Sequence, residues 1–400
     1  MLTLDAFLDL LAAQAVALPS IERLPLQQAF GRILAHDLNA SVAVPPQACS
    51  AMDGYAVRCA DWVDEKASSI VVPISQRIPA GCVPQVLQAG TCARIFTGAI
   101  VPLGADAVVA QENVDISEQG ACFSTRPVAG QFIRDAGGDI AAGATVLHSG
   151  QRLGAVQLGI AASLGVATVE VYRRPRVGLF FTGDELQAPG IPLAAGKIYN
   201  TNRGLWQGLL QTLPVEIIDL GDVADDLSVC RAALQAAAEC DVALGSGGVS
   251  VGEADHMQAA LMAEGCVAAW KLAIKPGKPL LFGQVGRAWF FGLPGNPVSS
   301  FVTFRLLVQP FLQRCAGQRS PLIDWRTQLL TGRAAFERAA SGDARLEFAR
   351  ARFNDGQIVL YAKQDSNLLS SLAWADGLAL LPAGEAITRG DKLSFLPLSL

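Results

Sequence analysis

The chain has 400 residues, 51% of them hydrophobic and 17% charged, with 31 Lys+Arg against 36 Asp+Glu and a net charge of −5. This composition excludes a disordered chain and, at ~100–200 residues per domain, predicts two to four domains with real hydrophobic cores. The acidic balance leaves no overall electrostatic footprint for nucleic acid, and the three scattered histidines, His36, His148 and His256, exclude an HExxH zinc site.

Residues 1–20 are apolar and contain an Ala-Val-Ala of the kind that precedes signal-peptidase cleavage. No Lys or Arg comes before it, and Asp5 and Asp9 interrupt the run, so no signal peptide is expected. Leu4, Phe7, Leu10, Leu11, Val16 and Leu18 suit one face of an amphipathic helix instead. No stretch reaches the ~18 uninterrupted apolar residues of a membrane span. The nine cysteines are scattered without a Cys-x-x-Cys pair, which fits reduced, mostly buried thiols in a cytoplasmic protein.

Residues 41–140 carry short β-prone runs broken by Gly and Pro: SIVVPIS at 69–75, TCARIFTG at 91–98 and ADAVVAQENV at 105–114. They read as a small β-domain. Residues 150–165 predict a helix leading into a strand at 167–173. The texture then changes. Strands are expected at 176–183, 215–221 and 241–248, with helices at 226–240 and 255–265. This alternation predicts a doubly wound, mostly parallel sheet over 174–318. Short strands return at 344–353, 357–362 and 377–382, so 322–400 reads as a small β-barrel or sandwich. No repeat of solenoid period occurs.

Four segments could carry chemistry. SGGVSVGEAD at 246–255 follows a strand, and its small residues, Gly247, Gly248 and Ser250 among them, would let backbone N–H groups converge on an anion. It is neither a Walker A loop nor a GxGxxG, and a plain strand-to-helix turn is the bland alternative. Next, WKLAIKPGKP at 270–279 holds three of the chain's seven lysines, Lys271, Lys275 and Lys278, in a pattern suited to phosphates and other oxyanions. In GLPGNPVS at 292–299, Pro294 precedes Asn296 and Pro297, an N-cap and N1 pair for the helix that follows. Lastly, carboxylates stand near turns: Asp53, Asp184, Glu185, Asp225, Asp226 and Asp255. Capping a turn is the commoner fate of Asp. Hard divalent cations, however, use one or two carboxylates together with substrate phosphates. Together these features suggest a Mg²⁺-assisted reaction on a phosphorylated substrate, and the residues alone go no further.

SAMDGYAV at 50–57, RIFTGA at 94–99, TGDEL at 182–186, SGGVSVGEAD at 246–255, KPGKP at 275–279 and GLPGNPVS at 292–299 together closely resemble the molybdopterin molybdenumtransferase family, which includes bacterial molybdenum-insertion enzymes and the E domain of gephyrin. The resemblance implies an α/β multidomain fold. A linker domain would use residues 1–40 and 141–173, a β-domain 41–140, a central α/β domain similar to molybdopterin adenylyltransferase 174–318, and a C-terminal β-barrel 322–400. It implies a homodimer whose active site joins one protomer's α/β domain to the other's β-domain. The reaction implied is Mg²⁺-dependent insertion of molybdate into adenylylated molybdopterin, with release of AMP.

By the same resemblance, Asp53, Thr97, Glu185, Asp225 and Asp255 match the family's acidic and hydroxyl positions, Asp53 and Glu185 being the metal ligands. Lys271, Lys275, Arg350 and Ser366 match its basic and anion-binding positions, and Lys278 would join the cofactor-binding set. The dithiolene sulfurs would supply the molybdenum ligands, so no Cys or His cluster is needed. Two departures stand out. The C-terminal motif reads QDSNLLSS at 364–371, with Asp365 beside an expected oxyanion site, and Gly138 stands where many relatives carry Glu. Implied partners are a second copy, molybdopterin adenylyltransferase and proteins that mature molybdoenzymes, with no nucleic acid and no membrane. Two other readings remain: a non-catalytic scaffold like the gephyrin branch, and a molybdopterin adenylyltransferase acting on ATP. The acidic and lysine positions argue against the first, and the flanking β-domains against the second.

Overall fold

The computed structural model describes residues 1–18, 20–63, 69–249, 256–320 and 323–398. The chain divides into two compact units, Met1–His36 with Ser149–Gly154 and Val169–Leu400, and Asp37–His148 with Ala155–Thr168.

The smaller unit is mainly β, with strands on the β-prone runs at 69–75, 91–98 and 105–114 and further strands outside them, Gly54–Val57 among these. Gly54–Val57 lies between Cys92–Ile95 and Ala107–Ala110, antiparallel to both, and Ile74–Ile78 extends the sheet beyond Cys92–Ile95. All four residues of Gly54–Val57 and of Ala107–Ala110 are buried, so these strands show no polar alternation. A second sheet of Ile70–Val72, Gly120–Phe123 and Val114–Ser117 lies in the same unit. The Phe123 ring meets Trp62 and Tyr55 edge-on, at 5.5 and 6.0 Å between centroids. Residues 155–163 form the predicted helix.

The larger unit is built on a six-stranded sheet in the order Glu216–Val223, Arg176–Thr182, Val242–Ser246, Ala288–Leu293, Leu281–Val285, Gly265–Trp270. The first four strands are parallel, and the last two are added antiparallel. The central strands are apolar throughout because both faces are covered. On one face Leu4–Gln14, Thr201–Gln211 and the helix from Pro297 pack against Phe181, Phe282 and Phe291. On the other, Leu227–Ala237 and Met257–Glu264 cover Phe180 and Phe290, whose rings stack at 5.8 Å. Each such buried side chain contributes roughly 1.5–3 kcal/mol of transfer free energy. The N-terminal helix buries Leu4, Phe7, Leu8 and Leu11, whereas Leu10 is only half-buried. Thr3 caps the helix by accepting from the Ala6 N–H.

The tail closes into a five-stranded barrel. Leu346–Asn354 pairs with Gln357–Leu360 and with Gly377–Leu381, and Leu330–Ala334 and Lys392–Pro397 complete the circuit. A sixth, two-residue strand, Ile274–Lys275, comes from the lysine-rich segment and pairs in parallel with Leu346–Glu347.

Among the described residues no helix is long and apolar enough to cross a membrane. All nine cysteines are free thiols, and Cys49, Cys92, Cys230, Cys240 and Cys315 are buried. Burial pushes the Cys92 thiol up to about 12 and the Cys230 thiol up to about 11, so neither is a thiolate near neutrality.

Candidate functional site

Strands Arg176–Thr182, Val242–Ser246 and Ala288–Leu293 lie side by side and end together, and their carboxyl ends are tied by a short polar network. Thr182 Oγ1 donates to the Ser246 carbonyl at 2.9 Å, and the Gly247 N–H donates to the Leu293 carbonyl at 3.1 Å. Asn202, at the start of helix Thr201–Gln211, donates through Nδ2 to Ser246 Oγ and to the Gly295 carbonyl, both at 2.8 Å. Gly247 holds φ at +91°, and a β-carbon there would stand 2.7 Å from the Thr182 carbonyl oxygen. Only glycine lets the loop close on the neighbouring strand.

Above these ends opens a cavity of about 830 Å³, large enough for a small-molecule ligand and placed in the usual crevice of an α/β sheet. It brings together seven of the residues expected from the sequence: Glu185, Asp225, Gly247, Gly248, Pro294, Asn296 and Pro297. Asp184 links the two acidic loops, because its Oδ1 accepts from the Asp225 N–H at 3.3 Å. Asp226 serves the fold instead. It caps helix Leu227–Ala237, and the Ser228 hydroxyl and the Val229 and Ser228 N–H groups hold its carboxyl below the usual range.

Asn296 occupies the N-cap position before Pro297, as expected, but its side chain makes no cap bond. The Val298 N–H donates instead to the Ser366 carbonyl at 3.0 Å. The Asn296 amide is therefore left to the cavity it lines, and Ser366 enters the arrangement through its backbone. Its neighbour Asn367 lines the cavity.

Thr182, which opens the TGDEL motif, lines the cavity too, and so do Tyr199, Asn200 and Asn202, which were not singled out in the sequence. Asn200 caps helix Thr201–Gln211 by accepting from the Arg203 N–H at 3.0 Å. A Tyr-Asn-Thr-Asn run before an apolar-periodic segment is a helix-start signal that could have found them. Gly204 and Gly208 weaken that helix's propensity and mask it.

The lysines stand apart from this cavity wall: Pro279 lines it, and Lys271, Lys275 and Lys278 do not. Lys271 has φ +65° and its Nζ lies 3.8 Å from the centroid of the Trp270 ring. Lys275 Nζ is 3.3 Å from Glu347 Oε2. Lys278 is exposed.

In the smaller unit, Asp53 precedes strand Gly54–Val57. Its Oδ1 accepts from both the Thr97 N–H at 2.8 Å and the Thr97 hydroxyl at 2.7 Å. These two bonds, with a smaller contribution from the Arg94 charge, hold the Asp53 carboxyl below the usual range. Gly54 is required beside it, since a β-carbon there would lie 2.0 Å from the Val109 carbonyl oxygen. The Arg94 guanidinium donates to the Gly54 carbonyl at 2.9 Å and lies over the Tyr55 and Phe96 rings. Ser250 and Asp255 lie outside the described residues.

Three family models cover most of the sequence: "MoeA N-terminal region (domain I and II)" over residues 2–165, "Probable molybdopterin binding domain" over 178–314 and "MoeA C-terminal region (domain IV)" over 333–398. The chain is 40% identical to a molybdopterin molybdenumtransferase of Haemophilus influenzae, over 97% of this chain and 98% of that one. The chain belongs to the molybdopterin molybdenumtransferase family. A molybdopterin molybdenumtransferase 2 of Mycobacterium tuberculosis is 35% identical over 90% of each chain. The crystal structure of a molybdopterin biosynthesis MoeA protein from Pyrococcus horikoshii OT3 matches at a TM-score of 0.84 and 27% identity, covering 99% of this chain and 100% of that one.

The cavity thus lies in the part of the chain that matches the family's molybdopterin-binding region. Arg350, matched to the family's basic set, is completely buried in the C-terminal barrel. Its Nε donates to Ser371 Oγ at 3.0 Å and its Nη2 to the Asp365 carbonyl at 2.9 Å, while Nη1 has no protein partner. In the atypical motif the Asp365 backbone, not its carboxylate, receives the guanidinium.

Proposed function

We propose that this protein inserts molybdate into adenylylated molybdopterin with release of AMP, assisted by Mg²⁺, and that it works as a homodimer. The observation that carries the reading is the crevice at the carboxyl ends of Arg176–Thr182, Val242–Ser246 and Ala288–Leu293. It combines a glycine loop with Glu185 and Asp225, in the segment similar to a molybdopterin-binding family model. The four-part division at 1–40 with 141–173, 41–140, 174–318 and 322–400 belongs to the same reading, as do the roles that follow.

Gly247 and Gly248 would bring backbone N–H groups toward substrate phosphate, with Asn296 beside them. Ser250 and Asp255 would join them by the family resemblance, and Pro294 and Pro297 would shape the cavity they line. The donor set fits Mg²⁺. Mg²⁺ characteristically uses one or two carboxylates and takes its other ligands from phosphates and water. In the proposed homodimer Asp53 of one protomer and Glu185 of the other would be those carboxylates, with Asp53 kept ionised and aimed by Thr97. Mg²⁺, when bound, supplies Lewis-acid charge at the phosphate linkage. Lys271, Lys275 and Lys278 would neutralise phosphate and molybdate, Arg350 would add its charge from within the barrel where it is fully buried, and Ser366 would hold the chain that carries Asn367 against the cavity.

The test is direct. The purified full chain is given adenylylated molybdopterin, Mg²⁺ and molybdate, and AMP is followed. Molybdate-dependent AMP release supports the reading. Background AMP from a sample shown to bind the substrate overturns it, and adenylylated molybdopterin with pyrophosphate formed from ATP and molybdopterin would favour the adenylyltransferase.

A further inference from the structure

The lysine-rich segment is joined to the C-terminal barrel at one point. Ile274–Lys275 pairs in parallel with Leu346–Glu347, with Lys275 in register with Glu347. The Glu347 side chain is 8% exposed, and its Oε2 receives two cations: Arg338 Nη2 at 2.6 Å and Lys275 Nζ at 3.3 Å. Arg338 is fixed by its own backbone, which exchanges both hydrogen bonds with Ile387 across the barrel. Glu347, Arg338 and the strand pair therefore form a rigid frame, and Lys275, whose side chain is 38% exposed, is its outward member.

A carboxylate this buried is expensive to desolvate and is tolerated when paired. Arg338 alone sits 2.6 Å from it, close enough for a full charge-assisted hydrogen bond. The longer contact to Lys275 restrains the ammonium in direction while leaving its other N–H donors to face outward. Asp343 flanks the same group, and its carboxyl, held down to about 2 chiefly by Arg345, also feels the Lys275 charge.

We propose that Glu347 is the positioning residue for Lys275. On this inference, which rests on the proposed role of Lys275 in the transferase reaction, the barrel serves to hold the lysine where the substrate's charge develops. A positioning role predicts loss of turnover with little loss of binding, because a misplaced group acts mainly on the transition state.

Glu347→Gln keeps the shape and removes the charge. Molybdate-dependent AMP release should then fall in kcat by ~10- to 100-fold, with KM changed less than about twofold. Glu347→Asp should recover part of that loss. The chain has seven lysines, so reductive ¹³C-methylation gives a small NMR spectrum in which the Lys275 signal is assigned by its disappearance in Lys275→Arg. That signal should move in Glu347→Gln while the other lysine signals stay in place. An unchanged kcat in a folded Glu347→Gln protein overturns the inference. If that variant does not fold, Glu347→Asp decides, and wild-type kcat alongside a displaced Lys275 signal overturns it equally. Lys275→Ala separates the two levels. If it leaves AMP release intact, the role assigned to the lysine fails. If it abolishes release while Glu347→Gln does not, only the positioning role fails.

Discussion

The α/β crevice and the seam between the lysine segment and the barrel solve the problem of fixing a group in space by different means. In the crevice, geometry comes from neutral partners: Thr182 to the Ser246 carbonyl, Gly247 to the Leu293 carbonyl, and Asn202 to Ser246 and Gly295. Its carboxylates, Glu185 and Asp225, line the opening and hold none of these contacts. In the seam, geometry comes from charge, with Glu347 between Arg338 and Lys275. The lesson is that a charged residue can read as a ligand group in the sequence and still be occupied within the fold. Which case holds depends on burial and partners.

The comparison breaks most severely at Lys275, the member of the seam that faces outward. Lys275→Ala should lower AMP release by more than ~100-fold, the scale of removing a transition-state charge partner, while gel filtration stays unchanged. Retained activity would show that the seam is structural throughout. In the crevice the corresponding change is Gly247→Ala. Its β-carbon meets the Thr182 carbonyl oxygen at a residue with φ +91°, so a loss of about 1–3 kcal/mol is expected on denaturant unfolding. Activity should fall with it. A variant as stable and active as the parent would mean that the loop relaxes freely.

Asp53 in the smaller unit shares features of both regions, as a carboxylate aimed by neutral donors. Thr97→Val removes the hydroxyl and keeps the backbone N–H. With one stabilising bond to the ionised form lost, the carboxyl must rise toward its ordinary value. If activity requires ionised Asp53, the acidic limb of kcat/KM moves to higher pH and the alkaline limb stays put. An unmoved acidic limb would separate Asp53 from the rate-determining ionisation.

Local patterning made much of this legible. The strand ends at Thr182 and Ser246 follow from buried apolar runs stopped by glycine, and family motifs fall on them, whereas the strand Ala288–Leu293 between them and the sheet's antiparallel arm was not expected. The antiparallel arm of Leu281–Val285 and Gly265–Trp270 escaped notice, because a short apolar strand carries no mark of its direction. The barrel strands Leu330–Ala334 and Lys392–Pro397 escaped for a related reason: Arg333 and Lys392 interrupt them and face outward. Contacts between distant residues were beyond local reading altogether. Nothing near Lys275 announces Glu347, 72 positions on, and nothing near Val298 announces that its cap is the Ser366 carbonyl.

The smallest effect is expected at Arg305, where the contrast between engaged and idle charge can be tested apart from catalysis. It lies in the π-helical turn Phe304–Val308, is 4% exposed, and donates from Nη2 to Gln328 Oε1 at 2.8 Å. Its Nε has no partner, and no ion pair to a carboxylate is found for it among the described residues. Burial accordingly pulls its pKa down. Glu347 is buried with two cations, whereas Arg305 is buried with a neutral amide, so its desolvation is poorly compensated. Arg305→Met retains the volume and removes that cost. Chemical denaturation should show stability unchanged or raised, within about 1 kcal/mol, with AMP release unaffected. A loss of several kcal/mol would instead place Arg305 with Glu347, as a buried charge whose surroundings depend on it.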